Sequence, residues 1–288
     1  MFYNCENLVS VGDINSKGEI GSFLTTTSWM FCNCSKLKKI PQLDTRFVTN
    51  MSYMLRGCGI TGSEDIGELN TSNVTDMSHM FESCVALKTA PMMDTSNVQN
   101  MDSMFYWCLT LDRIPKYDTS KVSNMDSMFK DCRKLQWCPN LDTSNVTNMD
   151  SMFYNCLTLS SLPELNTQKV RNITNMFFNC ESIVSVPLYD FSGVRITGYV
   201  FHNCYKLENL GGFLNLKNSL DFRSRTLLTH TSLTNVINYL YDWTTDPDNV
   251  RGEFGSSFVP TMYFGDTNLA KLTDDEISVA TLKGWTVV

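Results

Sequence analysis

Eleven cysteines, only three histidines and a recurring Asp-Thr-Ser are the features of this sequence that bear on chemistry. One cysteine series runs Cys34, Cys58, Cys84, Cys108, Cys132, Cys156, Cys180, Cys204, at gaps of 24 residues except for one of 26. Such a series is a disulfide framework, a metal array or a column of small buried side chains. Equivalent positions on stacked coils sit about 4.8 Å apart, wider than the roughly 3.5–4.5 Å between Cβ atoms of a disulfide. Cys138 fills a slot taken elsewhere by Ile, Leu, Ala or Val. Free cysteine packs like a small hydrophobe, so reduced core thiols are expected, in keeping with an odd cysteine count. Cys32-x-Cys34 and His202-x-Cys204 are lone pairs, and His79, His202 and His230 lie far apart. A zinc site needs about four ligands. The Asp-Thr-Ser-Asn phrases lack the Gly-rich Asp array of calcium repeats. No nucleophile motif, phosphate loop or zinc-binding helix motif is present. The expectation is a protein with no catalytic residues, no metal and no cofactor.

The elements that carry these residues are set by a repeat. Met-Phe lies just before each cysteine, as at Met104-Phe105, Met128-Phe129, Met152-Phe153 and Met176-Phe177, with Met54-Leu55 and Val200-Phe201 as variants. Apolar residues follow three and six positions after it, then proline, then Asp-Thr-Ser or a near relative, then Val-x-x-Met. About seven full units follow a partial first one, and extra residues fall between Val11 and Trp29. A unit of 24 residues cannot bury an apolar face alone, whereas stacked copies bury one continuous core. Leu-x-x-Ile-Pro reads as one strand per coil, ended by proline. Asp-Thr-Ser reads as a turn, Val-x-x-Met as a second short extended segment, and Met-Phe-x-x-Cys as one inward helical turn. Seven or eight coils would stack into a body on the order of 35–40 Å long. The methionines, at strict period, are read as core packing.

The phrase Asn-Met-Asp-Ser-Met-Phe-Tyr-Asn-Cys-Leu-Thr-Leu-Ser-Ser-Leu-Pro-Glu-Leu, residues 148–165, resembles the BspA-type leucine-rich repeat of bacterial surface proteins, over residues 1 to about 211. The resemblance implies a curved solenoid and a role in adhesion or partner binding. The repeat stops after Leu210, at Gly211-Gly212. Leu227 to Trp243 predicts an amphipathic helix with Leu233, Val236, Ile237, Leu240 and Tyr241 on one face, capped by Thr229 or Thr231. Asp246-Pro247-Asp248 predicts a loop, 261–264 a strand, 269–282 a second helix ended by Lys283-Gly284, and 285–288 a last strand. Residues 267–276 with Lys283-Gly284-Trp285-Thr286 also resemble endings of repeat proteins from gut bacteria and their phages, some of them tail or fibre components. The expected architecture is thus an α/β repeat solenoid over 1–211, of leucine-rich-repeat-like coils of about 24 residues, and a small α/β capping module over 212–288. The chain opens inside a repeat, so residues 1–10 are expected to be covered by a preceding segment, another subunit or local rearrangement.

Charge and hydropathy narrow the partners. A net charge of -7 argues against nucleic acid and against an anionic membrane surface. No apolar run reaches the roughly 20 residues that span a bilayer, and the N-terminus lacks the regions of a signal peptide. The reading is a non-enzymatic module that presents one solenoid face to a cell-surface or matrix protein or glycan, at a cell surface, outside the cell or on a virion. The alternative is a virion structural component that joins sibling subunits through its N-terminal edge. The candidate contact residues are those between the strand anchors and the aromatics near them: Lys39, Arg113 and Trp137, with Tyr106, Trp107 and Tyr117.

Overall fold

The computed structural model describes residues 1–12, 14, 24–223, 227–246, 250–255 and 257–288. Most of the extra residues between Val11 and Trp29, and Pro247 and Asp248 of the expected loop, lie outside these. The fold is a repeat solenoid of coils stacked in parallel. Its most continuous ladder is a column of single parallel bridges through Thr26, Asn50, Asp76, Asn100, Asn124, Asn148, Asn172 and Ile196. This column lies inside the Val-x-x-Met segment. The asparagines suit it because each side chain also accepts from the backbone two residues on, as Asn148 Oδ1 does from Asp150 N at 3.1 Å.

The Met-Phe-x-x-Cys segment is not the helical turn its length suggested. Its backbone N–H groups alternate in direction. Met149, Ser151, Phe153 and Asn155 donate to the next coil, at Asn172 O, Thr174 O, Met176 O and Phe178 O, over 2.8–3.0 Å. Met152, Tyr154 and Cys156 donate back three residues, to Met149 O, Ser151 O and Phe153 O. A helix would spend every donor within the coil, whereas this alternation ties each coil to its neighbour and leaves no donor unpaired. The geometry requires two left-handed residues per coil. One column holds Trp29, Tyr53, His79, Ser103, Ser127, Ser151 and Asn175, the other Asn33, Gly57, Ser83, Trp107, Asp131, Asn155, Asn179 and Asn203, all at φ between +52° and +67°. Gly fits this region freely, and Asn and Asp more readily than other residues.

The expected strand at Leu-x-x-Ile-Pro is shorter than predicted. It survives as the bridges Thr89↔Arg113 and Trp137↔Ser161 and as β1 (Ser185–Val186) paired with β3 (Asn209–Leu210). Proline ends it after one or two residues. β2 (Tyr189–Asp190) pairs with β4 (Phe213–Leu214) in the same parallel sense. Asp-Thr-Ser forms the expected side-chain-bonded turn: Asp94 Oδ1 accepts from Ser96 N and Ser96 Oγ at 3.0 and 2.6 Å.

Inside the coils, phenylalanine rings form a column. Phe81, Phe105, Phe129, Phe153, Phe177 and Phe201 stack at 5.5–5.9 Å between centroids, and Phe222 and Phe264 extend the line. The cysteine column runs beside it. Each thiol donates to the previous coil's carbonyl, Cys132 Sγ to Phe105 O at 3.2 Å and Cys156 Sγ to Phe129 O at 3.2 Å. This explains why cysteine, and not alanine, holds the position. All eleven cysteines are unpaired thiols, and ten of them are buried.

Among the described residues, α-helix occurs only after residue 229. α1 (His230–Asn238) is capped by the Thr229 side chain, which accepts from Ser232 N. β5 (Leu220–Asp221), β6 (Thr261–Tyr263) and β7 (Thr286–Val287) form a parallel three-stranded sheet. The single helix expected over 269–282 is two: α2 (Asp266–Leu269) and α3 (Asp274–Leu282). Thr273 and Glu276 form a capping box that restarts the chain. Thr273→Ala is expected to lower unfolding free energy by about 1 kcal/mol. Thermal denaturation checks it, and no loss would place the break between the helices elsewhere. No helix among the described residues is long and apolar enough to cross a membrane.

Candidate binding surface

The residues named from the sequence separate into three groups. Lys39, Arg113 and Trp137 share one position in the coil, next to the second apolar anchor, and all three are exposed. Trp137 is 49% exposed. Arg113 is held by its neighbour Asp112 at 3.1 Å. Tyr106 and Trp107 sit on the outer side of the Met-Phe segment, their rings 6.0 Å apart and tilted by 42°. Tyr117 is a correction: it is 2% exposed and its hydroxyl donates to Pro91 O at 2.8 Å inside the core. Tyr189 is buried in the same way, bonded to Pro163 O. Both occupy a column that holds Leu43, Leu141 and Leu165 in other coils, so the repeat itself marked them as core. Their hydroxyls are satisfied by a backbone carbonyl, as buried tyrosines require.

A second set of aromatics was missed. Trp29, Tyr53 and His79 occupy the first left-handed column on three successive coils, and their rings stack at 3.9 and 4.2 Å, each pair within 9° of parallel. Tyr3 meets Trp29 edge-on at 5.8 Å. His79 Nδ1 lies 2.8 Å from Glu82 Oε2, and Arg56 Nε is 3.0 Å from the same oxygen. Burial pushes the Glu82 carboxyl up, but these two partners outweigh it and hold it below the usual range. On later coils the outer ring position shifts. Lys130 lies over the Tyr106 and Tyr154 rings at 5.6 and 5.0 Å, and Phe178 stacks between Tyr154 and His202 at 4.8 and 5.0 Å.

The signal that could have found these residues is a mismatch between backbone and side chain. Other coils fill the two left-handed columns with Ser, Asn, Asp or Gly, whereas Trp29, Tyr53, His79 and Trp107 place large rings there. A left-handed conformation costs such a residue roughly 1–2 kcal/mol. Stacking returns about 0.5–1.5 kcal/mol per pair. The arrangement is therefore close to neutral for stability. Among the described residues no cluster of His, Cys, Asp or Glu is disposed to hold a metal ion.

A repeat solenoid with an aromatic ladder along one side is the class of protein that the fold and this surface define. The family described as Mycoplasma protein of unknown function, DUF285, matches in four overlapping stretches, residues 1–106, 25–137, 86–187 and 136–224. The chain belongs to that family. A solved leucine-rich repeat protein from Bacteroides ovatus ATCC 8483 is similar at 15% identity, over 78% of this chain and 81% of that one, with a TM-score of 0.23. No curated protein matches the chain.

Proposed function

We propose that the chain is a non-enzymatic binding module of the BspA-type leucine-rich-repeat kind, acting at a cell surface, outside the cell or on a virion. In this reading residues 1–211 present the surface and residues 212–288 close the end of the solenoid. The observation that carries it is the set of large rings at left-handed positions, Trp29, Tyr53 and Trp107, with His79 stacked on Tyr53. Strained positions kept by residues the backbone disfavours are a pointer to function, and aromatic side chains dominate binding hot spots. The partner is a cell-surface or matrix protein or glycan. Among the described residues the Trp137 ring stacks on no other, and it remains a contact residue of the neighbouring strand side.

The test is binding of labelled full chain to a panel of whole cells and matrix proteins, repeated with Tyr53→Asn and Trp107→Asn. Each variant is expected to weaken binding by about 30-fold, the loss of a 2 kcal/mol hot spot. Stability should change by less than about 1 kcal/mol, because asparagine relieves the backbone as stacking is lost. Unchanged binding in both variants, with loss only in Trp137→Ala, would move the site to the strand side. No binding to any target would remove the proposal.

A further inference from the structure

The outer turn beside each cysteine changes character between two successive coils. One coil offers Tyr106, Trp107 and Leu109, and the next holds Lys130, Asp131 and Arg133 at the same places 24 residues on. Backbone bonds fix the two turns side by side, since Trp107 N donates to Lys130 O at 2.8 Å. On the other side, Thr110 Oγ1 donates to Val85 O at 2.9 Å, which sets Val85 beside Leu109, its equivalent one coil on. Val85 is 48% and Trp107 45% exposed, and Leu109 is half-buried. Trp107 stands at a left-handed position, φ +61°, and its column neighbours Ser83 and Asp131 bring no ring to stack on it.

The basic turn keeps its charge. Arg133 Nη2 lies 3.0 Å from Asp131 Oδ1, which also accepts from Asn155 Nδ2 at 3.0 Å, so that carboxylate is already partnered. The Lys130 ammonium lies over the Tyr106 and Tyr154 rings, and Lys134 is exposed. Among the described residues neither lysine pairs with a carboxylate. Glu82, one coil before Tyr106, is held by Arg56 and His79. A chain of net charge -7 therefore sets an unneutralised basic turn against an apolar one.

We infer that, within the binding reading above, these two turns dock an acidic peptide segment of a protein partner. An apolar side chain of that segment sits on Val85, Trp107 and Leu109, and its flanking carboxylates meet Lys130, Arg133 and Lys134. Trp and Arg are enriched in binding hot spots, and complementary charge fixes register and specificity. A peptide is favoured over an acidic glycan because sugar hydroxyls pressed on Val85 and Leu109 would lose their hydrogen bonds to water without replacement.

The probe is a fluorescein-labelled, N-acetylated peptide, Asp-Asp-Phe-Asp-Asp, titrated with full-length chain and followed by anisotropy. Saturable binding is expected. Serine in place of the phenylalanine, or asparagine in place of all four aspartates, should weaken it at least tenfold. On the protein, Trp107→Asn and the pair Lys130→Gln with Lys134→Gln should each weaken it at least tenfold, with circular dichroism unchanged. The control pair Lys38→Gln with Lys206→Gln makes the same charge change on other coils and should weaken it less than twofold. Equal weakening by both pairs would show long-range attraction and overturn the inference. So would the lack of saturable binding, or equal binding of the serine peptide. Peptide binding in the expected pattern supports the inference even where the cell and matrix panel yields no target, an outcome that bears on the cell-surface reading alone. Panel binding lost in Trp107→Asn but kept in the Lys130 and Lys134 pair leaves the module in place and overturns the acidic partner. Panel binding abolished by periodate oxidation of the cells and not by protease would assign the surface to a glycan and overturn it too.

Discussion

Phe129→Ala is expected to lower the unfolding free energy by about 3–5 kcal/mol. The ring is fully buried and lies between Phe105 at 5.9 Å and Phe153 at 5.5 Å. Truncation removes both stacks and leaves a void that neighbouring rings, fixed by their own coils, cannot fill. The loss should not stay local. Solenoid stability sums the repeats and the interfaces between neighbours, and this ring is part of two interfaces. Phe129→Leu should cost less, since Leu55 occupies the same column and leucine leaves a smaller void than alanine. Phe2→Ala should also cost less, because among the described residues Phe2 stacks only on Phe31, and it is partly exposed. Urea denaturation checks the order: the midpoint should fall with the slope unchanged. A cost below about 1 kcal/mol for Phe129→Ala would mean the ring column does not hold the coils together.

That core was legible because a strict period turns sequence position into depth. Once the cysteines are aligned, Phe129, Met128 and Cys132 fall into columns that are apolar in every coil, and all three are buried. The path of the backbone was not legible in the same way. Met-Phe-x-x-Cys has the spacing of a helical turn, and only the paired left-handed residues, such as Ser151 and Asn155, turn its donors toward the next coil. Those residues were present in the sequence as Ser and Asn, but their polarity also suits any surface turn. The break between α2 and α3 was recoverable from Thr273-Asp274-Asp275-Glu276, a capping signature that apolar periodicity overrode. For the surface, exposure of Trp137 followed from its place between the strand anchors. Tyr117 was misplaced by judging residue type before column. The Trp29–Tyr53–His79 stack was missed for the opposite reason: three different residue types hid a single column, and rings 24 or 26 residues apart touch only because the coils do.

The thiol column sets an alkaline limit on the fold. Burial pushes Cys84, Cys108, Cys132, Cys156 and Cys180 well above their ordinary value and Cys204 up to about 12. The buried thiols must stay protonated in the folded chain, while the unfolded chain ionises them from their ordinary value of 9.0 upward. The folded state therefore holds more protons above that pH, and its stability falls as pH rises. Below about pH 9 the contribution is complete. Above it each such thiol removes about 1.4 kcal/mol per pH unit. The six named act together and remove on the order of 8 kcal/mol per unit, against a typical total of about 5–15 kcal/mol. Cooperative unfolding is expected between about pH 10 and 11, with thiolate absorbance rising in the same step as circular dichroism is lost. Near neutral pH the same burial should leave exposed Cys5 as the thiol that alkylates readily, the remaining ten reacting only after denaturation. Thiolates that appear gradually from pH 9 while the fold persists would show that solvent reaches the column. In that case the thiol-to-carbonyl bonds, such as Cys132 to Phe105, do not hold the coils together.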